Sequence, residues 1–209
     1  MSVKGFTSLD FETFKIEGLD ERMTAIAERI RPKFQEIGDI LATDLSVLTG
    51  KEMFLHIAKH ARRTVNPPKD TWLAICDNKR GYKQHPHFQL GLFDDHLFIW
   101  LAFIYELPNK QAIASNFLHH QNQVSKLIPK DYVISLDHTK KDATTINTLG
   151  KHGLADSLQR FHDVKKAELL VGRHLSPHHD IVQNGEALIQ FARETYEKLL
   201  PLYKLSYQE

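Results

Sequence analysis

The sequence lacks most of the features that define specialised classes of protein. Cys76 is the only cysteine among 209 residues, so no internal disulfide can form, which fits a reducing compartment. The longest predominantly apolar stretch, residues 97–107, falls well short of the roughly 20 residues that a membrane-spanning helix needs. The first residues carry no apolar run followed by the cleavage site of a secretory signal. We therefore expect a cytoplasmic protein that does not enter a membrane.

Net charge is also nearly absent. The chain has 27 lysines and arginines against 26 aspartates and glutamates, a formal net charge of +1, so the whole molecule has little attraction to polyanions or anionic membranes. It contains no P-loop, no dinucleotide-binding glycine signature and no nucleophile elbow. Any electrostatic function must therefore come from local clustering of charge.

The composition that is present is that of an ordinary globular protein, with 42% hydrophobic and 25% charged residues. A chain of this size removes roughly 70% of its unfolded surface from water on folding. It therefore needs no disulfide or metal to hold a core. We predict a single domain over residues 1–209.

Helical periodicity dominates the first fifty residues. Thr7 and Asp10 have the spacing of a capping box, which predicts a short helix. Apolar residues then recur at three- and four-residue steps over residues 19–41, which predicts a long amphipathic helix. Pro32 is expected to bend or divide this helix, and Gly50 marks its end.

From residue 71 onward the pattern of apolar residues changes to that of β-strands. The β-rich segment 71–75 is bounded by turn residues, and apolar side chains alternate with others over residues 87–92. In residues 97–105 both alternating sets are apolar, which predicts a central strand covered on both faces. The short turns between these segments predict an antiparallel meander.

The second half of the chain alternates between the two element types. Apolar spacing predicts helices over residues 113–127, 154–161 and 188–199, the last ending before Pro201, and strands over residues 132–136 and 167–171. Helices before and after a sheet indicate the α+β class. We predict a two-layer sandwich with a largely antiparallel sheet and helices packed on one side.

Positive charge is concentrated between Lys51 and Gly91. This segment contains eight lysines and arginines and three carboxylates, so it carries a charge of +5 in a chain whose net charge is +1. Within it, residues 56–63 are interpreted as a strand because the Asn-Pro-Pro sequence at 66–68 prevents helical continuation. A helix that buries Phe54 and Ile57 is the alternative.

Two basic strings lie within this segment, residues 59–63 and residues 79–83. Arginine presents a planar fork of donors that suits phosphate or carboxylate oxygens, and Gly81 allows backbone N–H groups to approach an anion closely. Residues 80–82 also match the opening of an RNA-binding signature, but the match fails from Lys83. The competing interpretation is that these charges solvate a sheet edge and discourage aggregation.

Thirteen histidines raise the question of a metal site. His56 and His60 have ligand spacing only on a helix, whereas His85 and His87 share a face only on a strand. No H-E-x-x-H motif or cysteine pair supports them. We therefore predict no metal and no cofactor.

Asp137 and His138 are candidates for acid–base chemistry, in which a carboxylate orients an imidazole. Adjacent residues on a strand point to opposite faces, so a pairing must come from elsewhere in the fold. His60 with Asp137 is one such pairing.

The chain resembles the YktB-like family of uncharacterised bacterial proteins, which occurs mostly in low-GC Gram-positive species. The resemblance spans nearly the whole length, and its most distinctive string is residues 58–63 with 65–68 and 70–72. It also includes residues 10–11, 18–19, 22–23, 79–83, 86–89, 137–138, 164–166 with 168, and 201–203. It implies a compact two-layer α+β domain and carries no established activity. The basic strings and the most recognisable family strings coincide, which favours a site there by analogy.

The leading hypothesis is one pocket for a phosphorylated small molecule or nucleotide, with nucleic acid as a weaker possibility. The predicted site residues are Lys59, His60, Arg62, Arg63, Lys79, Arg80, Tyr82, Lys83, His87, Asp137 and His138. One alternative is a hydrolase that uses His60 or His138 with Asp137 on a phosphoester or acyl substrate. The other is a non-catalytic module that docks an acidic protein partner.

Overall fold

The computed structural model describes residues 3–208, which contain a seven-stranded sheet with the order β1-β2-β3-β4-β7-β5-β6. Every pairing of neighbouring strands is antiparallel. The strands are β1 (Phe54–Ile57), β2 (Thr71–Cys76), β3 (His87–Leu92), β4 (Leu97–Phe103), β5 (Val133–Ser135), β6 (Thr144–Thr145) and β7 (Leu169–Leu175). The predicted antiparallel meander corresponds to β1 to β4, and β7 then returns to pair with β4.

Helices precede the first strand, separate later strands and follow the last one. They are α1 (Ser8–Glu12), α2 (Leu19–Ala25), α3 (Arg31–Thr49), α4 (Lys110–His119), α5 (Gln121–Leu127), α6 (Ile146–Asp163), α7 (Asp180–Gln183) and α8 (Gly185–Leu205). The capping box at Thr7 and Asp10 is present at the start of α1. Gly50 ends α3 in the left-handed conformation, with φ of 70°, which glycine adopts without steric penalty.

One face of the sheet carries the main hydrophobic core. Leu73 and Ile75 of β2, Phe88 of β3 and Ile99 of β4 are fully buried in it, and α3 and α8 pack against this side. Burying each such side chain contributes about 1.5–3 kcal/mol. The predicted α+β class, with an antiparallel sheet and helices on one side, is confirmed.

The opposite face of the sheet is covered by loops. A smaller cluster is buried there, including Trp72, Phe98 and Trp100, and Tyr82 and Ala143 pack against it from loops. Strand β4 is therefore buried along its whole length, as the double set of apolar residues predicted. The polar residues of β3 also point to this second face, which accounts for a polar, histidine-containing surface beneath the loops.

Two helix predictions near prolines differ from the structure. A π-helical turn, Ile26–Ile30, divides the apolar stripe over residues 19–41. Pro32 lies in the first turn of α3, where its missing N–H removes no helical hydrogen bond. Pro201 does not end a helix, because α8 continues to Leu205. Buried Leu202 and Leu205 on the far side of the proline hold that last turn by packing, which outweighs the intrinsic preference against proline.

Candidate functional site

An open cleft of about 1120 Å³ lies beside the β1 edge of the sheet. Three segments form its walls: the start of α3, the loop that follows β1, and a short 3-10 turn, Tyr82–Gln84. Trp72 of β2 lies between these walls. The cleft is as large as the pockets that hold drug-sized ligands and cofactors.

The charge of this cleft is strongly positive. Five cationic side chains line it, against the single carboxylate of Glu106, so its lining carries a net charge of +4. The cationic residues are Arg31, Lys59, Arg62, Arg63 and Lys83. Lys83 lies 3.4 Å from Glu106, and within residues 3–208 this is the only ion pair that these five cations make. A concave surface with so much unpaired charge of one sign attracts anions.

Arg31 enters the cleft from the first residue of α3. Its Nη2 donates a hydrogen bond to the carbonyl oxygen of Lys59 at 2.9 Å, which ties the helix to the loop after β1. Its Nε is buried and has no hydrogen-bond partner among residues 3–208. A buried donor without a partner is costly, so the position of this guanidinium is maintained by the rest of the fold. The π-helical turn that precedes it is a feature frequently found at functional sites.

The loop after β1 bends at His60, whose φ of 52° lies in the left-handed region. The interpretation of residues 56–63 as a strand is therefore wrong beyond Ile57, where β1 ends. A turn follows, in which the Arg63 N–H donates to the carbonyl of His60 at 3.0 Å. A strained conformation at a non-glycine residue is common at ligand-binding sites.

The imidazole of His60 points back toward β2. Its Nε2 lies 3.2 Å from the Thr71 hydroxyl, and its ring meets the Trp72 ring edge to face at 5.5 Å. Burial, together with the smaller effect of the nearby positive charges of Arg63, Arg31 and Lys83, lowers the pKa of His60 to about 4. His60 is therefore neutral at physiological pH and contributes polarity to the cleft rather than charge.

Tyr82 is held on the inner side of the cleft by three contacts. The Trp72 Nε1–H donates to its hydroxyl oxygen at 3.0 Å, and the rings of His56 and His87 lie 5.3 and 5.1 Å from its ring. Burial raises the pKa of Tyr82 to about 12. The phenol therefore keeps its proton and can donate it to a ligand.

His87 is fully buried beneath Tyr82. Its Nδ1 donates to the carbonyl of His85 at 2.7 Å, and the Gln89 side-chain amide donates to its Nε2 at 2.7 Å. Burial lowers the pKa of His87 to about 3. This histidine supports the Tyr82 ring from below and does not line the cleft.

The structure separates the predicted site residues into groups. Lys59, His60, Arg62, Arg63, Tyr82 and Lys83 line the cleft together. Lys79 and Arg80 do not: the Lys79 ammonium lies over the Phe54 ring at 5.2 Å, and the Arg80 backbone N–H binds the Asn78 side chain. The sequence prediction missed Arg31, because an arginine on an amphipathic helix 28 residues before Lys59 gives no local signal.

His138 belongs to a second group, and its partner is Glu168 rather than Asp137. Its Nδ1 lies 2.8 Å from Glu168 Oε2, and its backbone N–H donates to the same oxygen at 2.7 Å. Asp137 instead accepts from the backbone N–H and the hydroxyl of Thr139, at 2.9 and 2.6 Å. The predicted pairing of Asp137 with His138 or His60 is therefore replaced, and Glu168 was not predicted.

The ligand atoms of Asp137, His138 and Glu168 lie within 4.8 Å of one another, so these side chains can in principle hold a metal ion. Imidazole and carboxylate are suitable ligands for several divalent metals. Both carboxylates already accept the hydrogen bonds just described, and those bonds account for the arrangement. Elsewhere in residues 3–208 no group of three such side chains has this geometry.

Fold and cleft together define an α+β protein with a helix-covered antiparallel sheet and a basic cleft at one edge. The chain belongs to the family described as domain of unknown function (DUF1054), whose profile matches residues 6–203. A UPF0637 protein of Oceanobacillus iheyensis is 62% identical over 98% of this chain and 97% of its own. Relatives with the same family name occur in Shouchella clausii, at 61% identity over 99% and 96% of the two chains, and in Listeria innocua, at 50% over the whole of both. The family resemblance seen in the sequence is confirmed.

None of the helices within residues 3–208 combines enough length with enough apolar character to cross a membrane.

Proposed function

We propose that the protein binds a phosphorylated or nucleotide-like small molecule in the basic cleft, and that it does so in the cytoplasm. The observation that carries this proposal is the net charge of +4 on the lining of one concave site, in a chain whose net charge is +1. Arginine and lysine together favour phosphate, because the guanidinium forks bind its oxygens in pairs and the ammonium adds compact charge.

The shape of the site favours a small molecule over nucleic acid. The cations converge on one cleft that also contains apolar side chains, including Leu55, Ile57 and Ala61. Most small-molecule sites combine an apolar lining with a few placed polar groups in this way. Nucleic-acid binding instead uses an extended basic surface and responds steeply to salt.

Arg31 also supports the proposal. It lines the same cleft, and its Nη2 is bound to the Lys59 carbonyl oxygen of the loop after β1. Arg62 and Arg63 follow the left-handed turn at His60, and both residues line the cleft.

Calorimetric titration with pyrophosphate, AMP and ATP tests the proposal, with short single-stranded RNA as the comparison. The double variant Arg62→Ala/Arg63→Ala is expected to weaken binding at least tenfold. The matched control is Lys79→Ala/Arg80→Ala, which removes the same charge from the same basic segment but outside the cleft, and it should retain binding.

Equal losses from both double variants would contradict the cleft as the site. Binding to RNA alone, with a steep salt dependence, would replace the small molecule by nucleic acid. No binding to any probe, combined with capture of an acidic protein that depends on Arg62 and Arg63, would favour the docking module instead.

A further inference from the structure

Strand β1 forms one edge of the sheet, and part of its backbone is unpaired. Within residues 3–208 this strand pairs with β2 alone. The Ala58 N–H donates to the Trp72 carbonyl oxygen at 2.9 Å, and hydrogen-bonded and non-hydrogen-bonded pairs alternate along an antiparallel ladder. The N–H and C=O groups of Leu55 and Ile57 therefore point away from β2. None of these four groups has a backbone partner among the described residues.

The basic cleft encloses this edge from both faces of the sheet. Leu55 and Ile57 pack against the main core, on the side that α3 covers, whereas Ala58 belongs to the smaller cluster on the opposite face. Pro32 of α3 and Tyr82, which packs against the smaller cluster, both line the cleft, and so do all four residues 55–58. The unpaired edge therefore lies inside the cleft. A flat group that continues the plane of the sheet would have both of its faces covered there.

A purine or pyrimidine base is a flat group that suits such an edge. Its ring is planar, and its rim presents hydrogen-bond donors and acceptors side by side. The N–H and C=O of one residue in an antiparallel strand point in the same direction, so they offer a matching donor and acceptor. Backbone groups of this kind are common among the few polar contacts that orient a ligand in an otherwise apolar pocket.

The positive charge of the cleft is gathered at one end of the same edge. Strand β1 ends at Ile57, and Lys59 follows it in the loop that bends at His60. Arg31 binds the Lys59 carbonyl oxygen through its Nη2. The charges of Arg31, Arg63 and Lys83 all lie close enough to act on the His60 imidazole. A ligand with a base beside β1 and a phosphate beside this loop would use both parts of the cleft.

We propose that the ligand is a nucleotide whose base is hydrogen-bonded to the backbone of Leu55 or Ile57 and whose phosphate is held by the arginines. This inference rests on the proposed function, from which it takes the phosphate site. The free edge selects a nucleotide over a sugar phosphate or pyrophosphate, because only the nucleotide has a planar rim of donors and acceptors to pair with it. An extended peptide is the other occupant that an unpaired edge can take. Clustering of the cations at one end favours the nucleotide.

Calorimetric titration of the full chain with AMP, GMP, CMP and UMP tests the contact with the base. Ribose 5-phosphate is the matched probe, since it keeps the sugar and the phosphate and lacks the base. We expect at least one nucleotide to bind about tenfold or more tightly than ribose 5-phosphate. If all of them bind equally, the base contact is wrong and the anion site stands. If neither these probes nor pyrophosphate bind, the anion site itself fails.

Hydrogen exchange measured by NMR locates the base on the wild-type protein. The tightest nucleotide should slow exchange of the Leu55 or Ile57 amide by about tenfold or more, whereas ribose 5-phosphate should leave both unchanged. The His56 amide is the internal control, because it points toward β2 and is protected with or without ligand. A nucleotide that binds tightly and changes neither exchange rate would overturn the proposal.

Proline substitutions remove the same N–H groups one at a time. Proline is tolerated on an edge strand where the N–H points outward, so Leu55→Pro and Ile57→Pro are each compared with alanine at the same position. One proline variant should bind the nucleotide about fivefold more weakly than its alanine partner, with ribose 5-phosphate affinity unchanged. If a proline variant does not fold, the exchange measurement decides. A Glu-rich peptide that protects both amides, where no nucleotide protects either, would assign the edge to strand addition and overturn the proposal.

Discussion

The indole Nε1–H of Trp72 donates a hydrogen bond to the hydroxyl oxygen of Tyr82 at 3.0 Å. Trp72 lies in β2, whereas Tyr82 begins the 3-10 turn that carries Lys83. This bond therefore helps to hold the turn that carries Lys83 against the sheet.

Tyr82→Phe is expected to destabilise the protein by about 1–2 kcal/mol, because the buried indole N–H loses its acceptor. Urea unfolding followed by tryptophan fluorescence measures the change. Tyr105→Phe is the control, since Tyr105 is 44% exposed and its change should stay within about 0.5 kcal/mol. Equal effects of the two variants would show that the bond contributes nothing to stability.

His60 gives a second prediction, from its φ of 52°. His60→Gly should be more stable than His60→Ala by about 1 kcal/mol, because both remove the imidazole and only glycine tolerates the left-handed backbone. Thermal unfolding of the two variants gives the difference directly.

The order should reverse at Gln159, an exposed residue inside the part of α6 that follows its kink at Gly150. There glycine is the worse residue by up to about 1 kcal/mol. A more stable alanine at both positions would contradict the strained conformation of His60.

Asp70 gives a prediction for pH. Burial raises the pKa of its carboxyl to about 6, against the opposing charges of His138 and Arg63. Between the unfolded pKa and about 6 the native state therefore holds more protons than the unfolded state, so this group lowers the free energy of unfolding as pH rises. Asp70→Asn should stabilise the protein by on the order of 2–3 kcal/mol at pH 7.5, and the gain should shrink toward pH 4.

Urea titrations at pH 4, 5.5 and 7.5 measure this dependence. Asp142→Asn serves as the control, because Asp142 is exposed and its removal should change stability by less than about 0.5 kcal/mol at each pH. A stabilisation by Asp70→Asn that did not vary with pH would exclude titration of Asp70 as its origin.

Gly172 of β7 lies opposite Trp100 of β4 in the antiparallel pair. A Cβ atom at this position would collide with the backbone carbonyl of Ile99, which cannot move without breaking the pairing of the two strands. Gly172→Ala should therefore cost about 3 kcal/mol or more, as measured by the shift of the urea midpoint. At Gly153 in α6 the nearest atom to an added Cβ is Leu149 Cδ2 at 3.1 Å, a flexible side chain, so Gly153→Ala should cost less than about 1 kcal/mol.

Much of the fold was predictable from the periodicity of the sequence, because the segments with a strong apolar pattern are the strands and helices that pack into the core. Strand β4 is the clearest case, since its double set of apolar residues matches burial on both faces. The errors fall where packing overrides local preference, as at Pro201, or where a turn has no sequence signature, as in the π-helical turn Ile26–Ile30.

The candidate site was less predictable. Local charge clustering identified Arg62, Arg63 and Lys83, which line one cleft, but it also included Arg80, because a charge count cannot say which side of a turn a side chain occupies. Arg31 and Glu168 are invisible to such reasoning, since each joins its partners only through the tertiary fold.

The π-helical turn between α2 and α3 contains one residue more than a regular α-helical turn would need. Deleting a single residue within Ile26–Ile30 would restore continuous α-helical winding and rotate everything upstream of Arg31 by about 100° relative to α3. The apolar stripe of α2 would then turn away from the core. The extra residue sets the rotation of α2 relative to α3 about the helix axis. Arg31 therefore faces the cleft while the apolar faces of both helices point to the core.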